Sequence, residues 1–358
     1  MKKLRIGFLG TAEIARKNWK AIFHSGNAVV SAVASRDLKK ARQFIDECQR
    51  EFAFTDLPRA FGSYEELLAS PLVDAVYIPL PTALRKNFVL LAAQNRKHVL
   101  CEKPCATDSH ALAEMIAACK KNNVQFMDGV MFMHSPRLPK VREILDDGQS
   151  VGAPRRISSA FSFYSGEQFF RDNIRVNGAL EPAGCLGDLG WYSIRFALWV
   201  LSWRLPHTVT ARNLLSSEAL PDRPPAPVDF SAEMFFEDGV SCSIYCSFIA
   251  GHQQWVHVSG QKGWLLLPDF IHPLNSYEPS FEVGHRMVQV SGEVKCPAGG
   301  DPKVQGHAAA QDAIMWRNFA AQILSGKLNT DWPMWAAKTQ KVMDACLEAA
   351  REGRAMKL

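Results

Sequence analysis

The first 125 or so positions alternate short, continuously apolar, β-branched runs with stretches whose apolar residues recur every three or four positions. A run that is apolar on both faces reads as a strand buried in a parallel sheet, and the longer period as a helix packed on it. The pattern predicts strands at 4–9, 29–34, 75–78, 99–101 and 124–127, with helices near 12–24, 38–50, 64–69, 83–95 and 109–121. Ser63-Tyr64-Glu65-Glu66 has the capping-box spacing, which satisfies free N–H groups at a helix start. Repeated strand–helix units require right-handed crossovers, so this half reads as a doubly wound layer.

After Pro136 the rhythm changes. A helix at 137–147 leads to a strand at 155–164, an irregular Gly/Asn-containing stretch to about Gly187, and a strongly apolar helix at 188–202. From 207 to 297 the period is two, with strands expected at 228–236, 240–248, 254–259, 264–267 and 287–290 and a hairpin turn at Glu237-Asp238-Gly239. Helices at about 307–325 and 334–352 close the chain. The expected fold class is α/β: an N-terminal Rossmann doubly wound parallel sheet at 1–128, then a C-terminal α+β domain at 129–358 with an open, mainly antiparallel sheet. The closing helices are free to pack back on the first domain.

Composition narrows the function. At 358 residues the chain exceeds one core of usual size, and 47% apolar with 22% charged residues is ordinary for a globular protein. The net charge of +5 is carried by scattered basic pairs such as Lys39-Lys40 and Arg155-Arg156, with no basic tract, so no nucleic-acid partner is expected. Nine cysteines form no CxxC pair, and several lie inside apolar runs as small core residues, which argues for a reducing compartment. The start, Met1-Lys2-Lys3-Leu4-Arg5-Ile6-Gly7, has too short an apolar stretch for a signal peptide, and nothing approaches a membrane span. A cytoplasmic protein is expected. The ten histidines form no HxxxH set, so no metal is expected.

Chemistry enters at the first strand's end. In Gly7-Phe8-Leu9-Gly10-Thr11-Ala12, glycine lets the backbone turn tightly toward a pyrophosphate, and the following helix offers free N–H groups and the positive end of its dipole. Glu13 stands where a third glycine often sits. The next strand ends in Ala34-Ser35-Arg36-Asp37. An acid at that edge would bind the ribose hydroxyls of NAD, whereas Ser-Arg suits a 2′-phosphate, and Asp37 can cap the next helix. NADP is therefore preferred over NAD, the alternative being that Arg36 is a solvated charge.

Glu102-Lys103-Pro104 follows the apolar run 98–101. Lys103 at a strand's carboxyl edge can hydrogen-bond a substrate hydroxyl or carbonyl and stabilise developing negative charge, while Glu102 orients it or holds the ribose. Further on, Gly187-Asp188-Leu189-Gly190-Trp191-Tyr192 sets Asp188 and Tyr192 four apart, on one face of a helix. A carboxylate beside a phenol can relay a proton to or from a substrate oxygen. The alternative makes Asp188 an N-cap and Tyr192 a core aromatic.

Together these segments resemble the Gfo/Idh/MocA oxidoreductase family, named for glucose–fructose oxidoreductase and inositol dehydrogenase, over essentially the whole chain. The resemblance rests on Gly7-x-x-Gly10, on Pro81 with the helix leading to Lys97-His98-Val99, on Glu102-Lys103-Pro104, and on Gly187-Asp188-x-Gly190-x-Tyr192. It implies an NAD(P)-binding domain with a cis Lys103–Pro104 bond, and a second domain whose sheet mediates homodimers or homotetramers. It also implies reversible alcohol–carbonyl chemistry on a sugar, polyol or related diol. The resemblance assigns the cofactor to Gly7, Gly10, Thr11, Ala12, Ile14, Ser35, Arg36, Pro79, Leu80, Pro81, Arg85, Glu102 and Lys103, and catalysis to Lys103, Tyr192 and Asp188.

Three departures refine it. Many members carry histidine where this chain has Tyr192, and the tyrosine form resembles the glucose–fructose oxidoreductase and dihydrodiol or xylose dehydrogenase branch. The phenol then becomes the acid/base, its pKa lowered by Lys103. The usual Pro-Asn-x-x-His loop reads Pro81-Thr82-Ala83-Leu84-Arg85, with Thr82 and Arg85 left to border the nicotinamide ribose. Val130-Met131-Phe132-Met133-His134 replaces a polar strand exit and permits a more apolar diol or carbonyl. His134, Trp191 and Arg171 are candidate substrate contacts; packing beside Pro136, the core and a solvated loop are their respective alternatives. The family also holds NAD-dependent glycosidases that work by transient oxidation and silent cofactor-binding regulators; intact Lys103 and Asp188 argue against the latter.

Overall fold

In a computed structural model the chain is described at residues 2–274, 278–285, 290–297 and 310–358. It forms two compact units. One comprises Met1–Ala106, His110–Ser135 and Gly299–Ala336, the other Thr107–Ser109, Pro136–Ala298 and Ala337–Leu358.

In the first unit, β1 (Leu4–Leu9), β2 (Ala28–Ala34), β3 (Arg59–Phe61), β4 (Ala75–Ile78), β5 (His98–Cys101) and β6 (Phe126–Asp128) alternate with α1 (Glu13–Ser25), α2 (Leu38–Glu51), α3 (Tyr64–Ala69), α4 (Thr82–Gln94) and α5 (Ser109–Lys121). The strands form one sheet in the order β3-β2-β1-β4-β5-β6, all parallel. This is the doubly wound arrangement the apolar runs predict. Every residue of β4 is buried, and Ile6, Phe8 and Leu9 of β1 are fully buried, as a sheet covered by helices on both faces requires. The short β3, with exposed Arg59, lacks an apolar signature and is made by pairing with β2. At α3, Ser63 Oγ accepts from Glu66 N at 3.1 Å, the serine half of the expected capping box. Strand order reverses between β1 and β4, so the loops after these strands border the crevice where such sheets bind dinucleotides.

The second unit begins with α6 (Arg137–Asp146), β7 (Pro154–Ser162), α7 (Gly166–Asp172) and α8 (Trp191–Val200). It continues through β8 (Thr208–Ser216), β9 (Pro227–Phe235), β10 (Ser241–Ser247), β11 (Gln253–Gly260), β12 (Gly263–Leu267), β13 (Ser280–His285) and β14 (Val290–Lys295). The chain closes with α9 (Gln311–Leu324), which belongs to the first unit, then α10 (Asp331–Glu352) and β15 (Met356–Lys357). The second sheet has the order β14-β13-β12-β11-β7-β10-β9-β8-β15. It is antiparallel except where β7 pairs with β10 in parallel. Residues of β9 and β11 alternate buried and half-buried, so one face carries the core. The expected hairpin joins β9 to β10: Phe236 N donates to Val240 O at 2.8 Å, with Asp238 and Gly239 at φ of 65° and 72°.

The structure differs from expectation at several elements. β8, β13, β15 and α7 are additional. The outer part of β8 is exposed and lacks alternation. The single helix expected at 188–202 is two pieces, a π-helical turn at Leu186–Gly190 and then α8. Positions 287–289 of one expected strand and 307–309 of one expected helix lie outside the described residues.

α9 groups with the parallel sheet. Trp316 is fully buried with its ring 5.6 Å from that of Tyr77, Arg317 Nε donates to Ser25 O at 3.1 Å, and Lys17 lies 3.3 Å from Asp312. Among the described residues no helix is long and apolar enough to cross a membrane. The nine cysteines are buried thiols, none of them in a disulfide.

Gly184, two residues before the π turn, has φ +47°, and a Cβ there would lie 2.0 Å from Pro227 O. Gly184→Ala is expected to lower unfolding free energy by about 2 kcal/mol or more. Gly251→Ala, which meets nothing within 4 Å, should stay within about 0.5 kcal/mol of wild type. Denaturant midpoints check both.

Candidate active site

The turn after β1 is made by Gly10, at φ +114°, whose N–H donates to Ala34 O at 2.9 Å and ties the ends of β1 and β2 together. Gly7 lies inside β1 instead of in the turn. A Cβ there would stand 2.7 Å from Leu67 Cδ2 and 2.9 Å from Val73 Cγ1, so packing under α3 accounts for that glycine. Thr11 is half-buried, Ala12 is the N-cap of α1, and Ile14 is exposed in the first turn. No side chain caps α1. A glycine turn that approaches Leu80 and Tyr64 closely, followed by a helix start with no side-chain cap, fits a pyrophosphate.

At the end of β2, Asp37 Oδ1 accepts from Lys39 N at 2.8 Å and caps α2. Ser35 is buried, its N–H donating to Phe61 O at 3.2 Å. Arg36 is exposed and its guanidinium lies near the Tyr64 phenol. Burial pushes that phenol up, opposed by the nearby guanidinium. Ser35, Arg36, Tyr64 and Gly10 thus share one corner.

The loops after β4 and β5 are joined by Arg85, which is buried at 5% exposure. Its Nε donates to Leu80 O at 2.6 Å, and its Nη1 donates to Glu102 O at 2.8 Å and to Pro104 O. Thr82 Oγ1 adds a bond of 3.4 Å to Pro104 O. Arg85 was expected to border the ribose; its Nε and Nη1 are spent on carbonyls that shape the Glu-Lys-Pro loop. Pro79 and Leu80 are buried and Pro81 is the N-cap of α4. The Lys103–Pro104 bond is cis and Lys103 is half-buried. Glu102 is 8% exposed; its Oε1 accepts from Tyr77 Oη at 2.5 Å and its Oε2 from Lys103 N at 3.2 Å.

His134 closes a short 3₁₀ turn and lies 3.1 Å from Asn318 Nδ2 through its Nδ1, with its ring 6.3 Å from that of Trp332. Met131 and Phe132 of the same turn are buried.

In the second unit, the π turn carries Asp188, whose Oδ2 lies 2.8 Å from Arg175 Nε. The Asp188 charge is the largest influence raising Arg175 above its ordinary value; burial opposes it, and Glu181 and Tyr192 add to it. Asp188, Tyr192, Arg175 and Glu181 therefore form one cluster. Tyr192 is 6% exposed and meets Phe161 edge-on at 5.8 Å, and Phe161 in turn lies 6.4 Å from the ring of His272. Gly190 lets this turn press on β10: a Cβ there would stand 2.7 Å from Leu186 Cδ1 and 3.4 Å from Cys246 Sγ.

Two candidate contacts sit elsewhere. Trp191 is fully buried with the Arg195 guanidinium 5.8 Å from its ring, a core position. Arg171 is exposed and pairs with Glu167 at 3.3 Å. Arg175, four residues on, is the arginine that reaches the motif. No spacing rule singles it out in an irregular stretch. Among the described residues, no group of three or more His, Cys, Asp and Glu could hold a metal.

Residues 4–130 match the family model described as the oxidoreductase family with an NAD-binding Rossmann fold, and residues 139–266 match the GFO/IDH/MocA C-terminal domain. The chain belongs to the Gfo/Idh/MocA oxidoreductase family. Its relatives include trans-1,2-dihydrobenzene-1,2-diol dehydrogenase of Xenopus laevis, 29% identical over 72% of this chain and 73% of that one. Another is D-xylose 1-dehydrogenase (NADP(+)) 2 of Haloferax volcanii, 30% identical over 73% of this chain and 75% of that one. Among solved structures, a 3-ketoreductase from Actinomadura kijaniata in complex with NADP and TDP-benzene superposes with a TM-score of 0.80 at 25% identity, covering 97% of this chain and 98% of that one. As a Gfo/Idh/MocA member the protein is an oxidoreductase with an NAD(P)-binding Rossmann domain.

Arg85→Ala strands the carbonyls of Leu80 and Glu102, leaves Pro104 O only its long bond from Thr82, and should cost about 2–4 kcal/mol of stability, read by chemical denaturation. Arg85→Lys should recover only part of the loss, since an ammonium lacks the fork that spans several carbonyls.

Proposed function

We propose that this oxidoreductase interconverts an alcohol and a carbonyl on a sugar, polyol or related diol, with NADP as the preferred dinucleotide. The observation that carries the cofactor choice is the edge of β2. Asp37 commits a carboxylate oxygen to capping α2, which favours the exposed Arg36 beside Tyr64 as the charge that meets a 2′-phosphate. The dihydrodiol, xylose and 3-keto substrates in the relatives' names support the substrate class.

A bound nicotinamide dinucleotide supplies or accepts the hydride. The chain's own groups position the reactants and handle the proton. The Gly10 turn, with Thr11, Ala12 and Ile14 at the start of α1, holds the pyrophosphate. Ser35 and Arg36 hold the 2′-phosphate, Pro79, Leu80 and Pro81 line the nicotinamide side, and Glu102 accepts from ribose hydroxyls. Lys103 Nζ donates to the reacting oxygen and stabilises negative charge on it. Tyr192 Oη gives that oxygen its proton or takes it away. Asp188, with its charge shared by Arg175, orients the substrate. The aromatic edge of Phe161 beside Tyr192 favours a substrate with an apolar face.

The buried free thiols favour a reducing compartment, hence the cytoplasm. The broad open sheet of the second unit is the surface through which a homodimer or homotetramer would form.

Fluorescence titration should show tighter binding of NADPH than NADH, with Arg36→Ala weakening NADPH about tenfold and leaving NADH unchanged. Equal binding of the two, unmoved by Arg36→Ala, contradicts the NADP reading. In a panel of sugars, polyols and aromatic diols, Lys103→Met and Tyr192→Phe should each lower kcat/KM about a hundredfold or more. Tight cofactor binding with no turnover on the whole panel would defeat the enzymatic reading.

A further inference from the structure

Tyr77 stands in β4, where all four residues are buried. A phenol in such a strand needs a partner for its hydroxyl. Trp316 Nε1, from α9, donates to Asn18 Oδ1 at 2.6 Å; Asn18 Nδ2 donates to Tyr77 Oη at 2.8 Å; Tyr77 Oη donates to Glu102 Oε1 at 2.5 Å. The direction of each bond is forced. An indole N–H only donates, so Asn18 turns its oxygen to Trp316 and its NH₂ to Tyr77 and to Ile14 O. The phenol accepts that N–H and donates its own O–H to the carboxylate. Burial, then the adjacent carboxylate, hold the phenol far above its usual value, so it remains a donor.

The chain of bonds ends on Glu102. Its second oxygen receives the Lys103 N–H, and its backbone oxygen receives Arg85. Gly129 lets its backbone come close to this carboxylate, since a Cβ there would lie 3.1 Å from Oε1. A buried carboxylate fixed at both oxygens retains lone pairs in set directions for further donors.

We infer that Tyr77 is a positioning residue of the cofactor site, which with Asn18 and Trp316 fixes the Glu102 carboxylate in the direction that receives the dinucleotide ribose. The inference rests on the reading above of Glu102 as a cofactor ligand. Trp316 and Asn18 are 298 positions apart, so a helix near the end of the chain takes part in a site otherwise built from its first third.

The test is a double-mutant cycle on NADPH affinity. Tyr77→Phe keeps the ring that packs 5.1 Å from Phe8 and 5.6 Å from Trp316 while removing the hydroxyl. It should raise the NADPH Kd about tenfold. Glu102→Gln should also weaken binding, and adding Tyr77→Phe to it should weaken binding no further, because both changes remove the same constraint. A purely structural role for Tyr77 would lower Tm in both backgrounds and leave the Kd unmoved, or would give effects that multiply; either result overturns the inference. If Tyr77→Phe does not fold, Trp316→Phe replaces it in the cycle, with the same coupling expected. A wild-type chain that binds neither NADPH nor NADH overturns the cofactor reading and the inference together, whereas wild-type binding with independent effects overturns the inference alone.

Discussion

The parallel sheet ends in two loops that have to keep one shape, and a single buried guanidinium imposes it. Arg85 reaches from α4 to the carbonyls of Leu80, Glu102 and Pro104. Without it the Leu80 and Glu102 oxygens would be stranded and Pro104 O left to Thr82, a cost comparable to several lost hydrogen bonds. With it, the backbone after β4 and the backbone carrying Lys103 form one rigid edge. The arginine is itself buried, so its charge is tolerable only because converging carbonyl dipoles solvate it. Stability and site geometry are therefore the same interaction at this point.

Beneath that edge the constraint continues into side chains. Tyr77 holds the side chain of Glu102, whose backbone oxygen Arg85 holds, and the loop after β4 borders the point where strand order reverses. The second unit solves a similar problem differently. There the segment carrying Asp188 is wound as a π turn, and close approaches at Gly184 and Gly190 fix where it sits on β9 and β10. An extra residue in a helical turn redirects the side chains that follow, and such turns recur at functional sites. Arg175 then neutralises the carboxylate that the turn presents.

The architecture was legible because burial leaves a period in the sequence. The all-apolar run at 75–78 reads as a covered parallel strand, and the alternation at 228–236 as a half-covered one. Where burial leaves no period, the reading failed. β3 is three residues long with an exposed arginine, and β8 loses its alternation in an exposed half. Side-chain roles were legible when a local backbone need fixed them, as with Ser63 and Asp37 at helix starts. They were hidden when the partner lay far along the chain. Arg171 and Arg175 look alike in sequence, and only the fold brings Arg175 to Asp188. Trp191, beside the motif, is core. One missed signal was readable: a tyrosine inside a wholly buried strand announces a polar partner, though not which one.

The central claim is that this chain moves hydride between a nicotinamide and a carbon bearing oxygen. The most direct measurement incubates the protein with each epimer of NADPH deuterated at nicotinamide C4 and a panel of aldoses, keto-polyols and vicinal hydroxyketones, with mass spectrometry of the products. One epimer should place a single deuterium on the new carbinol carbon, and Lys103→Met should lose that transfer. No label in any product, from a protein that binds NADPH tightly, would contradict the account.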